Sequence, residues 1–132
     1  MASIPEEKRF TQNHIWIEME NEFVGRCGIT EYCLEKISDV VFVDFPETNM
    51  EVKMNERVGI IESHTFIHVI NSPVSGRITE LNKELEINPD LINKDPLETG
   101  WIFKIDIKEP NEFAELMDLE SYKDYIEFES DL

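Results

Sequence analysis

Ile60-Ile61-Glu62-Ser63-His64-Thr65-Phe66-Ile67-His68-Val69-Ile70-Asn71-Ser72-Pro73-Val74-Ser75-Gly76 is the stretch that decides the fold. Ile60 and Ile61 close one β-prone run, and Val69 and Ile70 sit in a second. The short segment between them reads as a hairpin tip. Ser72-Pro73-Val74-Ser75-Gly76 is the next turn, with proline and glycine as its punctuation.

Strand signals continue on both sides of this hairpin. Upstream, Ile15 and Ile17 alternate with Trp16 and Glu18, and Glu20-Asn21-Glu22 is a polar turn. Phe23-Val24-Gly25-Arg26-Cys27-Gly28-Ile29 returns as the second strand of a hairpin, with Gly25 and Gly28 marking bends or close backbone approach. Thr30 is placed to cap a short helix over residues 31–37, whose Cys33, Leu34 and Ile37 share one face. Val40-Val41-Phe42-Val43-Asp44-Phe45 is strongly β-prone and ends at Pro46. Residues 51–61 read as strand, turn, strand, with Asn55-Glu56 as the turn.

Downstream, residues 77–82 alternate as a strand, and Asn88-Pro89-Asp90 opens a turn or a single helical turn. Residues 91–100 read as irregular. In residues 101–107, Trp101, Phe103, Ile105 and Ile107 fall on one face of a strand. A helix follows Pro110, with Asn111 as the expected cap, and Asp118 can cap a second one carrying Tyr122, Tyr125 and Ile126. Short strands separated by turns predict a mostly β architecture, a flattened barrel or sandwich of two small sheets. One short helix follows the second strand, and helices close the chain. The expected boundaries are a flexible N-terminus over 1–9, a single domain over 10–126, and an acidic, frayed tail over 127–132.

The chain's 132 residues, 41% of them hydrophobic, suffice for one packed core. A formal net charge of -17 argues against binding nucleic acid or an anionic membrane, since both are polyanions. It suits a solvated acidic surface and basic patches on partner proteins. No segment has the length of a membrane span, and Met1-Ala2-Ser3-Ile4-Pro5-Glu6-Glu7 lacks a secretory pattern, so a cytoplasmic location is expected. Cys27 and Cys33 have neither zinc nor thioredoxin spacing and read as buried free thiols.

In order and spacing, several motifs together resemble the glycine cleavage system H protein, from Phe10 to Tyr122. They are Thr11-x-x-His14-x-Trp16, Gly28-Ile29-Thr30-x-Tyr32, Asp39-Val40-Val41-Phe42-Val43 with Pro46, the Ser72-Pro73-Val74-Ser75-Gly76 turn, and Asn88-Pro89-x-Leu91-Ile92-Asn93-x-Asp95-Pro96-x-x-x-Gly100-Trp101. The resemblance implies a lipoyl-domain-like fold. It also implies a carrier whose lipoyl arm takes an aminomethyl group from glycine decarboxylase to the aminomethyltransferase and is reoxidised by dihydrolipoyl dehydrogenase. In that family a Glu-Ser-x-Lys motif holds the arm at the hairpin tip. Glu62 and Ser63 match it, and the modified lysine falls on Thr65.

Thr65 offers a hydroxyl on a stiff β-branched stem, and no lysine lies between Lys53 and Lys83. No lipoyl cofactor is therefore expected, and no catalytic constellation supports an enzyme. The favoured reading is a non-catalytic protein that binds those three enzymes or lipoyl-transfer enzymes. Glu62, Ser63, His64, Phe66, Ile67 and His68 form the candidate recognition hairpin around Thr65. Phe66 and Ile67 either fold back onto the domain or dock into a partner. Glu62 is either a remnant of ligase recognition or one more surface carboxylate. His14 reads as a packed, hydrogen-bonded histidine. Two alternatives stand beside this reading: a carrier modified at Ser63 or Thr65, and a metal or small-ligand site at Glu62, His64 and His68.

Overall fold

The computed structural model describes residues 8–130. The chain runs β1 (Arg9–Phe10), β2 (Ile15–Met19), β3 (Val24–Ile29), α1 (Glu31–Ile37), β4 (Val40–Asp44), β5 (Glu51–Val52), β6 (Arg57–Ser63) and β7 (Ile67–Asn71). It continues with β8 (Gly76–Leu81), α2 (Glu84–Ile87), α3 (Leu91–Lys94), β9 (Phe103–Ile107), α4 (Pro110–Glu115) and α5 (Leu119–Ser130). All strand pairs are antiparallel. One sheet has six strands in the order β1-β2-β3-β9-β8-β5, and the other has three, β4-β6-β7. Both sheets are open, so the arrangement is a sandwich and not a closed barrel.

Alternating apolar positions of both sheets meet in one core. The larger sheet contributes Ile15, Ile17, Cys27, Ile29, Ile78, Phe103 and Ile105, and the smaller contributes Val43, Ile61 and Ile70. α1 closes one end as its periodicity predicts: Cys33, Leu34 and Ile37 are buried, and the Thr30 hydroxyl accepts the Cys33 N–H. Both cysteines are free and buried. Burial pushes the Cys33 thiol up to about 12 and that of Cys27 well above its ordinary range, so neither is a nucleophile at neutral pH.

Residues 51–61 are strand, turn and strand as expected, with Asn55 at φ of 70° in the turn. β5 joins β8 and β6 joins β4 and β7, so the reversal carries the chain from one sheet to the other. Several expectations need correction. Asn88-Pro89-Asp90 opens the single helical turn that was one of its two expected forms, α3, so residues 91–94 are not irregular, and residues 84–87 form a further short helix, α2. The cap of α4 is Glu109, with Pro110 taking the first helical position, where a missing N–H costs nothing; Asn111 lies inside the helix. Trp101 precedes β9 and packs in a second cluster, away from Phe103 and Ile105. The flexible segment expected over 1–9 lies outside the described residues up to position 7. Lys8 is placed, bonded to Glu18 at 3.1 Å, and Arg9 is in β1. Residues 127–130 of the acidic tail expected over 127–132 are the last turn of α5, and 131–132 lie outside the described residues.

That helix explains the second cluster. Trp16 alternates with Ile15 and Ile17 and so faces the other side of β2, where it is fully buried with Phe10 and Tyr122, and Leu97, Met117 and Tyr125 pack against them. Tyr122 stacks on Phe10 with ring centroids 4.5 Å apart. Its hydroxyl lies 2.7 Å from Thr30 Oγ1 and 2.8 Å from His14 Nδ1, while His14 Nε2 reaches Glu129 at 3.0 Å. One proton order satisfies every group. The Cys33 N–H donates to Thr30, Thr30 to Tyr122, Tyr122 to Nδ1, and Nε2–H to Glu129. His14 sits at φ of 66°, a conformation held by His14 N–H donating to Thr11 O at 3.1 Å and His14 O accepting from Thr30 N at 3.0 Å.

Two predictions follow from this packing. A Cβ at Gly28 would come within 2.6 Å of the Trp16 indole, whose Nε1–H is already committed to Ile29 O and Pro96 O. Gly28→Ala therefore lowers unfolding free energy by about 1–3 kcal/mol in urea melts. Burial holds the His14 imidazole below its ordinary 6.5, with Glu129 pulling the other way. A depressed pKa means the unfolded chain takes the proton first, so this stabilisation is complete above 6.5 and is lost as pH falls through the folded value. The stability margin of wild type over His14→Asn, which tolerates the positive φ, is largest near about pH 7.5 and shrinks toward about pH 5.

Candidate functional site

β6 is the middle strand of its sheet, paired with β4 on one side and β7 on the other. Its C-terminal end projects as a hairpin whose apex is built by one side chain. Ser63 N–H donates to Phe66 O at 2.9 Å, and the Ser63 hydroxyl accepts the N–H groups of Phe66 at 3.0 Å and Thr65 at 3.4 Å. Neither His64 nor Thr65 has a positive φ, so this is not the glycine-favouring two-residue reversal. The serine oxygen takes the amide hydrogens that such a turn would leave to the backbone.

This geometry sorts the candidate residues. His64, Thr65, Phe66 and Ile67 are exposed at or beside the apex, with Phe66 at 55% and Ile67 at 64%. The apolar pair does not fold back onto the core. Glu62 and Ser63 are half-buried. Glu62 faces Phe42 across one strand boundary and Ile67 across the other, on the sheet's outer side. His68 pairs with Ile61 and so points to the inner side, where its Nε2–H donates to Asn13 O at 2.9 Å. Burial lowers its pKa, with the Asn13 bond acting in the opposite sense.

Glu62, His64 and His68 are therefore not brought together, because consecutive strand positions face opposite ways and the turn separates the rest. Among the described residues no group of three or more His, Cys, Asp or Glu side chains is placed to hold a metal. The lysines nearest in sequence are Lys53 and Lys83. Lys53 lies beyond the far end of β6, a strand of seven residues and about 20 Å. The apex holds no primary amine, so a lipoyl group does not fit it as an amide.

Sequence reasoning missed what steadies the hairpin. Asn13 Nδ2 donates to Val69 O and to Asn71 Oδ1, both at 2.7 Å, and Asn71 Nδ2 donates to Asn55 O at 2.7 Å. No local pattern marks these bonds, since the Val69 carbonyl and the Asn71 carboxamide lie 56 and 58 positions from Asn13. The outer face was also missed. Val41 and Phe42 are exposed in a run read only as β-prone.

The sequence profile of the family described as Glycine cleavage H-protein matches residues 8–129. A glycine cleavage system H protein of Thermotoga maritima is 41% identical over 118 residues, covering 89% of this chain and 94% of that one. The corresponding protein of Symbiobacterium thermophilum is 38% identical over 122 residues, 92% and 94% of the two chains. Among solved structures, a glycine cleavage system H protein from Mycobacterium marinum superposes with a TM-score of 0.77 at 29% identity, covering 90% of this chain and 95% of its own.

Ser63→Ala removes the acceptor for two apex amides without touching the core. It is expected to lower stability by about 1 kcal/mol and to speed hydrogen exchange at Thr65 and Phe66, leaving exchange in β3 and β9 unchanged.

Proposed function

The chain belongs to the glycine cleavage H-protein family, and from that premise we propose that it is a member without the lipoyl arm, working by binding other proteins. The family's proteins are carriers and not catalysts. One observation carries the reading: threonine stands where the Glu-Ser-x-Lys motif puts the attachment lysine, and no lysine lies between Lys53 and Lys83. An amide to lipoic acid needs a primary amine. A hydroxyl can give only an ester, on a stem too short and stiff to reproduce the lysine's reach.

The retained features support protein binding. The hairpin still projects from a paired central strand, and its apex has kept Glu62 and Ser63 while gaining exposed Phe66 and Ile67. Large apolar side chains at a loop tip favour use as an anchor in a partner's pocket. The partners that fit are those that already handle this scaffold: glycine decarboxylase, the aminomethyltransferase, dihydrolipoyl dehydrogenase or lipoyl-transfer enzymes. A cytoplasmic setting suits its two unpaired, buried thiols. Among the described residues, no helix is long and apolar enough to cross a membrane.

Two measurements test this reading. Incubated with a lipoyl ligase, the wild-type chain gains no acyl mass, whereas Thr65→Lys does if the recognition surface survives. Phe66→Ser abolishes binding to the partner enzyme while shifting the melting temperature by less than about 2 °C. Acylation of the wild-type chain, or a large loss of stability in Phe66→Ser, would count against the proposal.

A further inference from the structure

The outer face of the three-stranded sheet carries four apolar side chains, Phe42, Ile60, Ile67 and Val69, and two carboxylates, Glu62 and Asp44. Register places Phe42, Glu62 and Ile67 in one row across β4, β6 and β7, and Asp44, Ile60 and Val69 in the next. Phe42 is 50% exposed and Ile67 64%, and Phe66 extends the patch toward the apex. Among the described residues, neither Glu62 nor Asp44 takes part in an ion pair. The cation of β6, Arg57, lies at the opposite end of the strand.

The edges of this sheet carry plugs. Asn13 occupies the Val69 carbonyl on the β7 side, and Asn93 Oδ1 accepts the Val40 N–H at 2.8 Å on the β4 side. These side chains obstruct the addition of a further strand and leave the face as the open surface. A row of three strands spans two interstrand spacings, about 10 Å, which is the width of one α-helix. A sheet with one apolar face left bare is completed by a layer of helix.

We propose that this face docks an amphipathic helix of a partner protein that carries an arginine or lysine within its apolar stripe. The basic group would meet Glu62, and the flanking apolar positions would cover Phe42, Ile60, Ile67 and Val69. The inference rests on the protein-binding reading above and names the surface and chemistry of that contact. Charge argues against a second copy as occupant. Each chain carries a net -17, and a two-fold contact on this face would bring the Glu62 and Asp44 carboxylates of both copies into one interface with no cation to meet them. The longest helix, α5, is itself acidic, with Glu120, Asp124, Glu127 and Glu129 against a single lysine, Lys123.

The test uses the full chain and two probes. The first is recombinant glycine decarboxylase, aminomethyltransferase, dihydrolipoyl dehydrogenase and lipoyl ligase from the same cell. The second is a synthetic helical peptide of about twenty residues with one arginine in a leucine stripe, alongside a twin with glutamate at that position. The arginine peptide should shift amide resonances on β4, β6 and β7 and bind at least about tenfold tighter than its twin. Glu62→Arg should abolish that preference, and Phe42→Ser should weaken both the peptide and whichever enzyme binds. If an enzyme binds but neither substitution weakens it, the face assignment falls and the protein-binding reading stands. If no enzyme binds while the peptides show the charge preference at this face, the reading of partners falls and the face stands. Equal binding of the two peptides, or shifts elsewhere on the molecule, overturns the inference.

Discussion

A strand with neighbours on both sides cannot easily change register, and this constraint on β6 governs the molecule. Val58 and Ile61 point into the core, so a slip of one residue would turn them to solvent and bury Glu62 among apolar side chains. The paired strand therefore fixes which residue arrives at the apex. Ser63 closes the turn with its own hydroxyl, and Thr65 is delivered to the tip as firmly as any residue in that place would be. The scaffold's capacity to present one side chain at a defined point is intact. What differs from a lipoyl carrier is the chemistry of the side chain presented.

The same stiffness has a second consequence for the outer face. Because β6 holds Glu62 between Phe42 and Ile67, the carboxylate cannot move away from its apolar neighbours. In a free chain it is solvated and costs little. Against an apolar partner it would lose water without compensation, at a cost of order 1–3 kcal/mol or more. The arrangement thus discriminates among partners: an apolar surface with a matching cation is accepted, and one without it is penalised.

The parts of this architecture that were legible in the sequence are those set by local periodicity and caps. Thr30 before an apolar face of Cys33, Leu34 and Ile37 gave α1 with its boundaries, because the cap and the stripe act within a single turn or two. The central hairpin was legible for the same reason, while Thr65 as the attachment position is what the family resemblance implies. The burial of Trp16 was not legible, since alternation along β2 cannot foretell that α5, a hundred residues later, covers the second face of the strand. Asn13 was missed because its partners are fixed only by the folded topology. The destination of β5 was hidden likewise: a turn at Asn55 looks the same whether the next strand pairs back or crosses to another sheet.

The central claim is that this hairpin carries no dithiolane arm. Intact-mass spectrometry of the chain purified from the cells that make it addresses that most directly. The account predicts a mass equal to that of the bare polypeptide, apart from ordinary terminal processing. A lipoyl- or octanoyl-sized adduct, mapped by fragmentation to Ser63 or Thr65, would contradict it and return the protein to the carriers.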